Sequence, residues 1–198
     1  MLMRSGPALD AETILTATED VLRRHGPAKA TVLDVARALG VSHASVYRHF
    51  PSKAALREAV TRRWLGRARE DIATVAADTR LAAPERLRTW LTTLFVAKRK
   101  LLSEDPELFA TYRVLAAEHS DAAADHVTDL LGQLRVIIAD GVTAGDFTCA
   151  DPGAMARTVF DATMAYHHPA HAPEWQAPGA EAALEAVCAL LINGLRFR

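Results

Sequence analysis

The sequence has few of the features that mark a membrane, secreted or metal-bound protein. Its apolar runs all fall short of the roughly 20 residues that a membrane-spanning helix needs, and its opening stretch "MLMRSGPALDAE" lacks the apolar core of a secretory signal. Its two cysteines, Cys149 and Cys188, lie far apart and outside any metal-ligand spacing. We therefore expect a cytoplasmic protein with reduced thiols, no membrane partner and no cofactor.

Strand signals are also scarce, which favours an all-α fold. No period-2 apolar run and no Asn-Gly or Asp-Gly hairpin turn between apolar runs stands out, and proline and glycine fall between helical segments. Half of the 198 residues are hydrophobic. The chain can therefore bury a substantial core, as one domain or as a small domain joined to a larger one.

The common catalytic motifs are missing as well. The sequence contains no G-x-S-x-G elbow, no phosphate-binding P-loop, no H-E-x-x-H pair and no dinucleotide-binding glycine pattern. We therefore predict that the protein is not an enzyme.

Charge is distributed unevenly along the chain. Residues 1–70 contain 12 Lys/Arg and 7 Asp/Glu, whereas residues 71–198 contain 11 and 17. The net charge of −1 thus hides a basic first third and an acidic remainder. This asymmetry indicates that only the first third meets a polyanion.

Helix boundaries can be read from capping residues and from proline and glycine. Four helix starts are predicted at residues whose side-chain oxygen can accept a hydrogen bond from the helix amides: Asp10, Thr31, Ser42 and Ser52. Gly26 followed by Pro27 predicts the end of the first helix. Further helices with an apolar stripe are predicted near 84–103, 105–119, 121–145, 152–167 and 178–196.

Residues 31–50 match the helix-turn-helix pattern. A helix over 31–39 and a helix over 42–50 are joined at Gly40, because glycine readily supplies the positive φ of a tight turn. Four apolar side chains fill the small core between these helices: Val35, Leu39, Val41 and Val46. The second helix then presents mostly polar residues outward, as a recognition helix does in the major groove of DNA.

Some of these outward residues suit the phosphate backbone. Ser42 and the free amides at the helix N-terminus can meet a phosphate. Tyr47, His49 and Lys53 offer donors on either side of the groove.

Other outward residues suit the base edges. His43 and Ser45 are placed for base contacts, and Ala44 for a thymine methyl group. Arg48 suits a guanine or a phosphate, and its residue type leaves both roles open. For any single residue of this set, a plain solvated helix surface is the alternative.

The segment "TVLDVARALGVSHASVYRHFPSKAAL" resembles the DNA-binding segment of the TetR-type repressors, including the tail "VYRHFPSKAAL" that ordinary helix-turn-helix proteins lack. The helix before it is similar too, so the resemblance covers residues 10 to about 65. By this resemblance, a set of residues falls where the family contacts DNA: Thr31, Ser42, His43, Ala44, Ser45, Tyr47, Arg48, His49 and Lys53.

The resemblance implies a domain organisation and partners. A helix-turn-helix DNA-binding domain over residues 1–56 would precede a helical effector-binding and dimerisation domain over residues 57–198. The protein would be a homodimer on double-stranded DNA with a palindromic operator, and a repressor rather than an activator. The last two helices would form a four-helix bundle across the two-fold axis, and a small-molecule effector would bind in the second domain.

The last two predicted helices carry wide apolar stripes. Seven of their residues are candidates for the dimer interface: Met155, Val159, Phe160, Leu184, Val187, Leu191 and Leu195. The alternative is that both helices close the core of their own chain.

The middle helices carry the candidate effector pocket. Aromatic residues would line it and two polar residues would anchor the ligand, which gives the set Trp90, Phe95, Phe109, Tyr112, Arg113 and His119. Each aromatic residue is also compatible with plain core packing.

The stretch "YHHPAHAPEW" contains His167, His168 and His171, which are possible ligands for zinc, copper or nickel. It is broken by prolines and has no cysteine nearby, so we predict an exposed polar loop rather than a metal site. The rival to a DNA-binding regulator is a helical ligand-binding or scaffolding protein that has lost DNA binding, and the basic first third argues against it.

Overall fold

The computed structural model describes residues 9–196, and this part of the chain consists of helices and their connecting turns, without a β-strand. Two short 3-10 helices, Met164–Tyr166 and Pro169–Glu174, accompany ten α-helices. The α-helices are α1 Ala11–Lys29, α2 Val32–Leu39, α3 His43–Tyr47, α4 Lys53–Gly66, α5 Arg69–Ala77, α6 Ala83–Glu104, α7 Pro106–Ala117, α8 Asp121–Ala144, α9 Pro152–Ala162 and α10 Ala180–Arg196. The predicted all-α fold is confirmed, while residues 1–8 and 197–198 of the two predicted domains lie outside the described residues.

The predicted caps of the first four helices are confirmed. Asp10 accepts a hydrogen bond from the Thr13 amide at 2.7 Å, and Ser52 accepts one from the Ala55 amide at 3.0 Å. Thr31 forms a reciprocal capping box with Asp34, which satisfies amides at both ends of the first turn of α2. These bonds fix where α1, α2 and α4 begin.

Gly40 and Gly26 both have the positive φ that favours glycine. Gly40 ends α2 in the left-handed conformation at φ 65°, as predicted for the turn. Gly26 has φ 71° and breaks α1 at the predicted place, but residues 27–29 add one more turn beyond the kink. The chain at Gly26 lies close to α7, since a Cβ there would be 2.9 Å from the Glu107 carboxylate.

Helix α4 joins the helix-turn-helix to the rest of the molecule. Its apolar face is buried as predicted, with Leu56, Val60, Trp64 and Leu65 in the core. It packs against α1 on one side and against α7 and α8 on the other. Helix α4 therefore contacts both the N-terminal helix α1 and the C-terminal helices α7 and α8.

A buried carboxylate ties α1 to α4. Glu19 is only 2% exposed and pairs with Arg63 at 2.7 Å and with Arg67 at 2.6 Å. Arg23 also pairs with Glu19, and it reaches Asp105, between α6 and α7, at 2.6 Å. This Glu19 cluster links α1, α4 and the α6–α7 turn, because one buried carboxylate with several cationic partners fixes their relative positions.

The predicted C-terminal helices are present with shifted ends, and α5 was missed. Helix α5 has no side-chain cap, and its buried side chains are those of Ile72 and Ala76, so its apolar stripe is too sparse to stand out. The helix predicted over 152–167 ends at Ala162. None of the helices within residues 9–196 combines the length and apolar character that crossing a bilayer requires.

The stretch predicted as an exposed polar loop is instead packed into the protein. It forms the two 3-10 helices, and Trp175 is only 1% exposed. The Trp175 indole N–H donates to the Ala165 carbonyl at 2.9 Å, and His167 is buried against the Phe160 ring. The prediction was wrong because apolar and aromatic side chains in the stretch bury against the core although its prolines prevent an α-helix.

Candidate functional site

Helix α3 presents its polar residues outward from a single buried anchor. Val46 is fully buried, which fixes the rotation of the helix against α2. His43, Ala44, Arg48 and His49 are then exposed, and Ser45 and Tyr47 are partly exposed. The helix is shorter than the predicted 42–50 and continues as a turn after Tyr47.

The polar side chains of α3 also contact each other. The Ser42 hydroxyl accepts the Ser45 amide hydrogen at 3.1 Å, and the two hydroxyls are 2.8 Å apart. Arg48 donates to the Ser45 hydroxyl at 3.2 Å, and the His43 and Tyr47 rings meet edge to face at 4.5 Å. These contacts order the exposed surface before any partner is bound.

Two more candidate DNA contacts flank α3. Lys53, in the first turn of α4, is exposed. Thr31 is exposed at the start of α2, where its hydroxyl donates to Asp34 at 2.6 Å. The nine predicted DNA-contacting residues therefore surround the helix-turn-helix, with seven of them exposed and Ser45 and Tyr47 partly exposed.

The predicted effector-pocket aromatics are all buried. The rings of Phe109, Tyr112 and Trp64 pack edge to face or tilted against one another, with centroids 6.0–6.3 Å apart. Phe95 and Trp175 extend the same cluster. Trp90 is buried too, and its indole N–H donates to the Gln133 side chain at 2.9 Å.

The two predicted polar anchors lie elsewhere, and this part of the prediction is corrected. Arg113 and His119 are both exposed. Arg113 follows Tyr112 directly on α7, and its side chain lies on the solvent side of the helix while Tyr112 is buried. Lys98 and His126 are the polar residues that meet the aromatic cluster.

Lys98 lies inside the protein on α6. It is 2% exposed, and its ammonium nitrogen Nζ lies 2.7 Å from Nε2 of His126 and 3.4 Å from the Tyr112 hydroxyl. The same nitrogen is 4.7 Å from the centre of the Tyr112 ring. Burial lowers the pKa of Lys98 to about 7 and raises the pKa of Tyr112.

A surface cleft of about 230 Å³ reaches this polar group between α4, α5 and α8. The ring of His126 forms part of its wall, together with Leu65 and Gly66 of α4. Two ion pairs cross the cleft, Arg62 with Asp125 at 2.8 Å and Arg69 with Asp129 at 3.3 Å. The cleft thus joins solvent to Lys98 through one side chain.

The predicted dimer residues divide into two groups. Val159, Phe160, Leu184 and Leu195 are buried within the one chain, so they complete its own core and are corrected as interface residues. The others, Met155, Val187 and Leu191, are half-buried. The apolar stripe of α10 packs against α6 of the same chain. Two ion pairs, Arg88–Glu185 and Arg99–Glu181, also join these helices. The buried residues of the stripe, which were expected at a dimer interface, therefore contact α6 instead.

The outer face of α10 carries a residue that the pattern did not single out. Leu190 is 72% exposed, and its exposed neighbours at helical spacing are Ala183, Ala186, Asn193 and Gly194. None of these neighbours is charged, so the face is available for contact with an apolar partner surface.

The three candidate metal-binding histidines do not converge. Within residues 9–196, no group of three His, Cys, Asp or Glu side chains has the geometry of a metal site. His167 is buried, and its Nε2–H donates to the Phe160 carbonyl at 2.9 Å. The rings of His168 and His171 are 6.3 Å apart.

Comparison with known families identifies the chain. Residues 14–60 match the family model described as "Bacterial regulatory proteins, tetR family", and residues 83–188 match "Tetracyclin repressor-like, C-terminal domain". The chain belongs to the TetR family. It is therefore a transcriptional regulator with a helix-turn-helix DNA-binding domain.

The chain is also similar to individual proteins, one in sequence and two in fold. An uncharacterized HTH-type transcriptional regulator of Mycobacterium tuberculosis is 33% identical over 104 residues, which span 52% of this chain and 49% of that protein. FadR from Bacillus subtilis, solved in complex with stearoyl-CoA, is similar at a TM-score of 0.65 and 17% identity, covering 93% of this chain and 99% of FadR. SmeT, the repressor of the Stenotrophomonas maltophilia multidrug efflux pump SmeDEF, has a TM-score of 0.64 and 21% identity, covering 95% and 89%.

Sequence reasoning missed Lys98 and the cleft in this TetR-family chain, although one signal was present. Lys98 falls on the same helical stripe as Leu91, Leu94 and Phe95, at the spacing of a buried position. A lysine in such a stripe is unusual, because buried lysines almost always have a partner. The partners Tyr112 and His126 lie on other helices, so the sequence did not connect them.

Proposed function

We propose that this TetR-family chain is a homodimeric repressor that binds a palindromic operator and responds to a small-molecule effector. Residues 1–56 would contact DNA, and residues 57–198 would bind the effector and the second subunit. The exposed polar surface of α3 carries the proposal. Its side chains are ordered by one buried valine and by contacts with one another, yet nothing in the protein's own core requires them.

The residue types on that surface suit two kinds of DNA contact, to phosphates and to base edges. Ser42, Tyr47, His49 and Lys53 would hold the phosphates on both sides of the major groove. His43, Ala44 and Ser45 would lie near base edges, with Arg48 on a guanine or a phosphate. Thr31 would contact the backbone from the start of α2.

A homodimer would fit a palindromic operator, because the two related half-sites need two related recognition helices about 34–36 Å apart. The outer face of α10 around Leu190, with the small residues Ala183, Ala186 and Gly194, is the best candidate for the two-fold contact. The half-buried Met155, Val187 and Leu191 would complete it at the edges.

Effector control is supported by the position of α4. An effector that favours one placement of α4 changes the spacing of the two α3 helices, provided that it binds the two states with different affinity. The binding of stearoyl-CoA by B. subtilis FadR and the repressor role of SmeT belong to proteins of the same fold, and both are consistent with this proposal.

The test is a fluorescence-anisotropy titration with DNA from upstream of the protein's own gene. A scrambled duplex of equal length is the control, and both are measured at two salt concentrations. We expect selective binding that weakens steeply as salt rises, because phosphate contacts release counterions.

If the upstream DNA binds no better than the scrambled duplex, two explanations remain. The operator lies elsewhere in the genome, or the surface of α3 has lost DNA binding. A genome-wide fragment selection separates them. Recovery of no enriched fragment would favour the ligand-binding or scaffolding alternative and overturn the proposal.

A further inference from the structure

The starting point is a buried lysine without a carboxylate. Lys98 is 2% exposed, and within residues 9–196 it forms no ion pair. Its contacts are the neutral acceptors of His126 and Tyr112. A buried cation without an opposite charge is costly, so a protein that retains one has a reason to hold it there.

The groups around Lys98 are also neutral. Burial is the main reason that the pKa of His126 lies well below its ordinary value, and the nearby Lys98 lowers it further. Burial also lowers the pKa of His167, to about 4. Burial raises the pKa of Tyr112, which stays protonated. On the cleft side of His126, the charged groups are paired with one another: Arg62 of α4 with Asp125, and Arg69 of α5 with Asp129. The interior here therefore holds one uncompensated positive charge when Lys98 is protonated.

The cleft between α4, α5 and α8 gives a ligand access to that charge. His126 lies in its wall and touches Lys98 at 2.7 Å, so it is the side chain between the cleft and the ammonium. Lys98 does not itself line the cleft, so a ligand reaches the ammonium only when the His126 ring rotates out of the wall.

We infer that the cleft binds a small carboxylate whose negative end replaces His126 as the partner of Lys98. This inference rests on the proposed function, whose effector it assigns to a chemical class. The apolar part of the ligand would lie along Leu65 and Ala122 in the cleft wall.

Charge balance favours a monoanion. One lysine neutralises one carboxylate, whereas a phosphate dianion would bring a second negative charge beside the neutral His126 and Tyr112, in a cleft whose two arginines are already paired with Asp125 and Asp129. An uncharged ligand would leave the Lys98 ammonium unpaired. The volume of about 230 Å³ accommodates a molecule of the size of an aromatic or medium-chain acid.

Ligand entry also bears on α4. The ion pairs Arg62–Asp125 and Arg69–Asp129 cross the same cleft, and Glu58 of α4 accepts the Ala122 amide hydrogen of α8 at 2.7 Å. A carboxylate entering between Arg62 and Arg69 competes with the two aspartates. The ties between α4 and α8 then loosen, and α4 is free to move the helix-turn-helix.

The first test is a thermal-shift screen with paired probes. Straight-chain carboxylates from acetate to decanoate, benzoate and phenylacetate are each compared with the corresponding primary amide, and inorganic phosphate is included. We expect at least one carboxylate to raise the melting temperature by about 2–4 °C while its amide does not. Lys98→Met should abolish the response, and Lys100→Met, an exposed lysine on the same helix, should retain it.

Three outcomes overturn the inference: no carboxylate in the set stabilises the protein, the amides do so equally, or Lys98→Met responds like the unaltered chain. A response to phosphate alone overturns it as well. Circular dichroism of Lys98→Met establishes that the variant is folded.

The second test uses the unaltered chain and needs no variant. At pH 8.0 burial keeps Lys98 largely neutral, with its pKa near about 7. A bound carboxylate stabilises the ammonium, so binding should take up about one proton. Isothermal titration calorimetry in two buffers of different ionisation enthalpy measures this number, and a value of zero contradicts the inference.

The two proposals fail separately. Operator binding is measured without any carboxylate, and carboxylate binding is measured without DNA. A stabilising carboxylate with no DNA binding would overturn the regulator proposal alone, and selective DNA binding without any carboxylate response would overturn the effector class alone.

Discussion

At the scale of single residues, Arg48 is the side chain whose role in DNA binding is most open to measurement. It is exposed and donates to the Ser45 hydroxyl at 3.2 Å. If it reads a base, Arg48→Ala should weaken operator binding by about 1–3 kcal/mol and leave binding to scrambled DNA little changed. Anisotropy titrations measure both, with Arg135→Ala, an exposed arginine on α8, as the control. An equal loss on both duplexes would make Arg48 a phosphate contact.

Lys98 makes a second residue-scale prediction, for stability against pH. Its pKa is about 7 in the folded protein and near 10.5 when unfolded, so the unfolded state binds more protons between these values. The free energy of unfolding should therefore rise with pH from 7 to 9, by about 2 kcal/mol relative to Lys98→Met. Urea denaturation of both proteins at the two pH values measures the difference. Parallel pH dependence in the two proteins would contradict the assignment.

Residue roles that depend on local chemistry could be predicted from the sequence. The caps at Asp10, Thr31, Ser42 and Ser52 were predicted correctly, because each acts on amides within three residues of itself. The environment of Lys98 could not be predicted, because its partners lie 14 and 28 residues away on other helices.

At the scale of elements, α8 contains two glycines with opposite surroundings. A Cβ on Gly141 would collide with the Phe147 ring and lie 2.8 Å from the Ala83 Cβ, where α8 crosses the start of α6. Gly141→Ala should lower the free energy of unfolding by about 1–3 kcal/mol. Gly132→Ala, where nothing lies within 4 Å, should raise it by about 0.5–1 kcal/mol.

Chemical denaturation of the two glycine variants checks the pair. Equal effects of the two substitutions would show that helix propensity, rather than the close crossing of α6 and α8, decides the result. The pair also separates local from tertiary effects within one helix.

The elements themselves were predictable where the apolar stripe was strong. Helices with a wide stripe, such as α6 and α8, were expected at nearly the observed positions. Neither α5 nor the burial of the proline-rich stretch around Trp175 was predicted, because the burial of these segments depends on neighbouring helices rather than on their own periodicity.

At the scale of the whole molecule, Leu190 is expected to hold two subunits together. Leu190→Arg should give a monomer, because it places a charge at the centre of a closely packed helix face. Val96→Arg, at a valine that is 58% exposed on α6, is the matched control and should stay dimeric. Sedimentation velocity measures the mass, and operator affinity should fall by about 100-fold or more in the monomer.

A monomeric Val96→Arg together with a dimeric Leu190→Arg would move the interface to α6. The sequence could identify α10 as apolar, but it could not divide its residues between the chain's own core and a partner. That division depends on how α10 packs on α6, with Leu184 and Leu195 inside and Leu190 outside.

The Glu19 cluster has a consequence for engineering hybrid regulators. A fusion that joins residues 1–56 to another C-terminal domain keeps Glu19 and Arg23 but discards Arg63, Arg67 and Asp105. The hybrid then buries a carboxylate that has lost two of its cationic partners, which is strongly destabilising. A junction beyond Arg67 keeps all three arginine partners of Glu19, so a hybrid joined there should be more stable than one joined at residue 56.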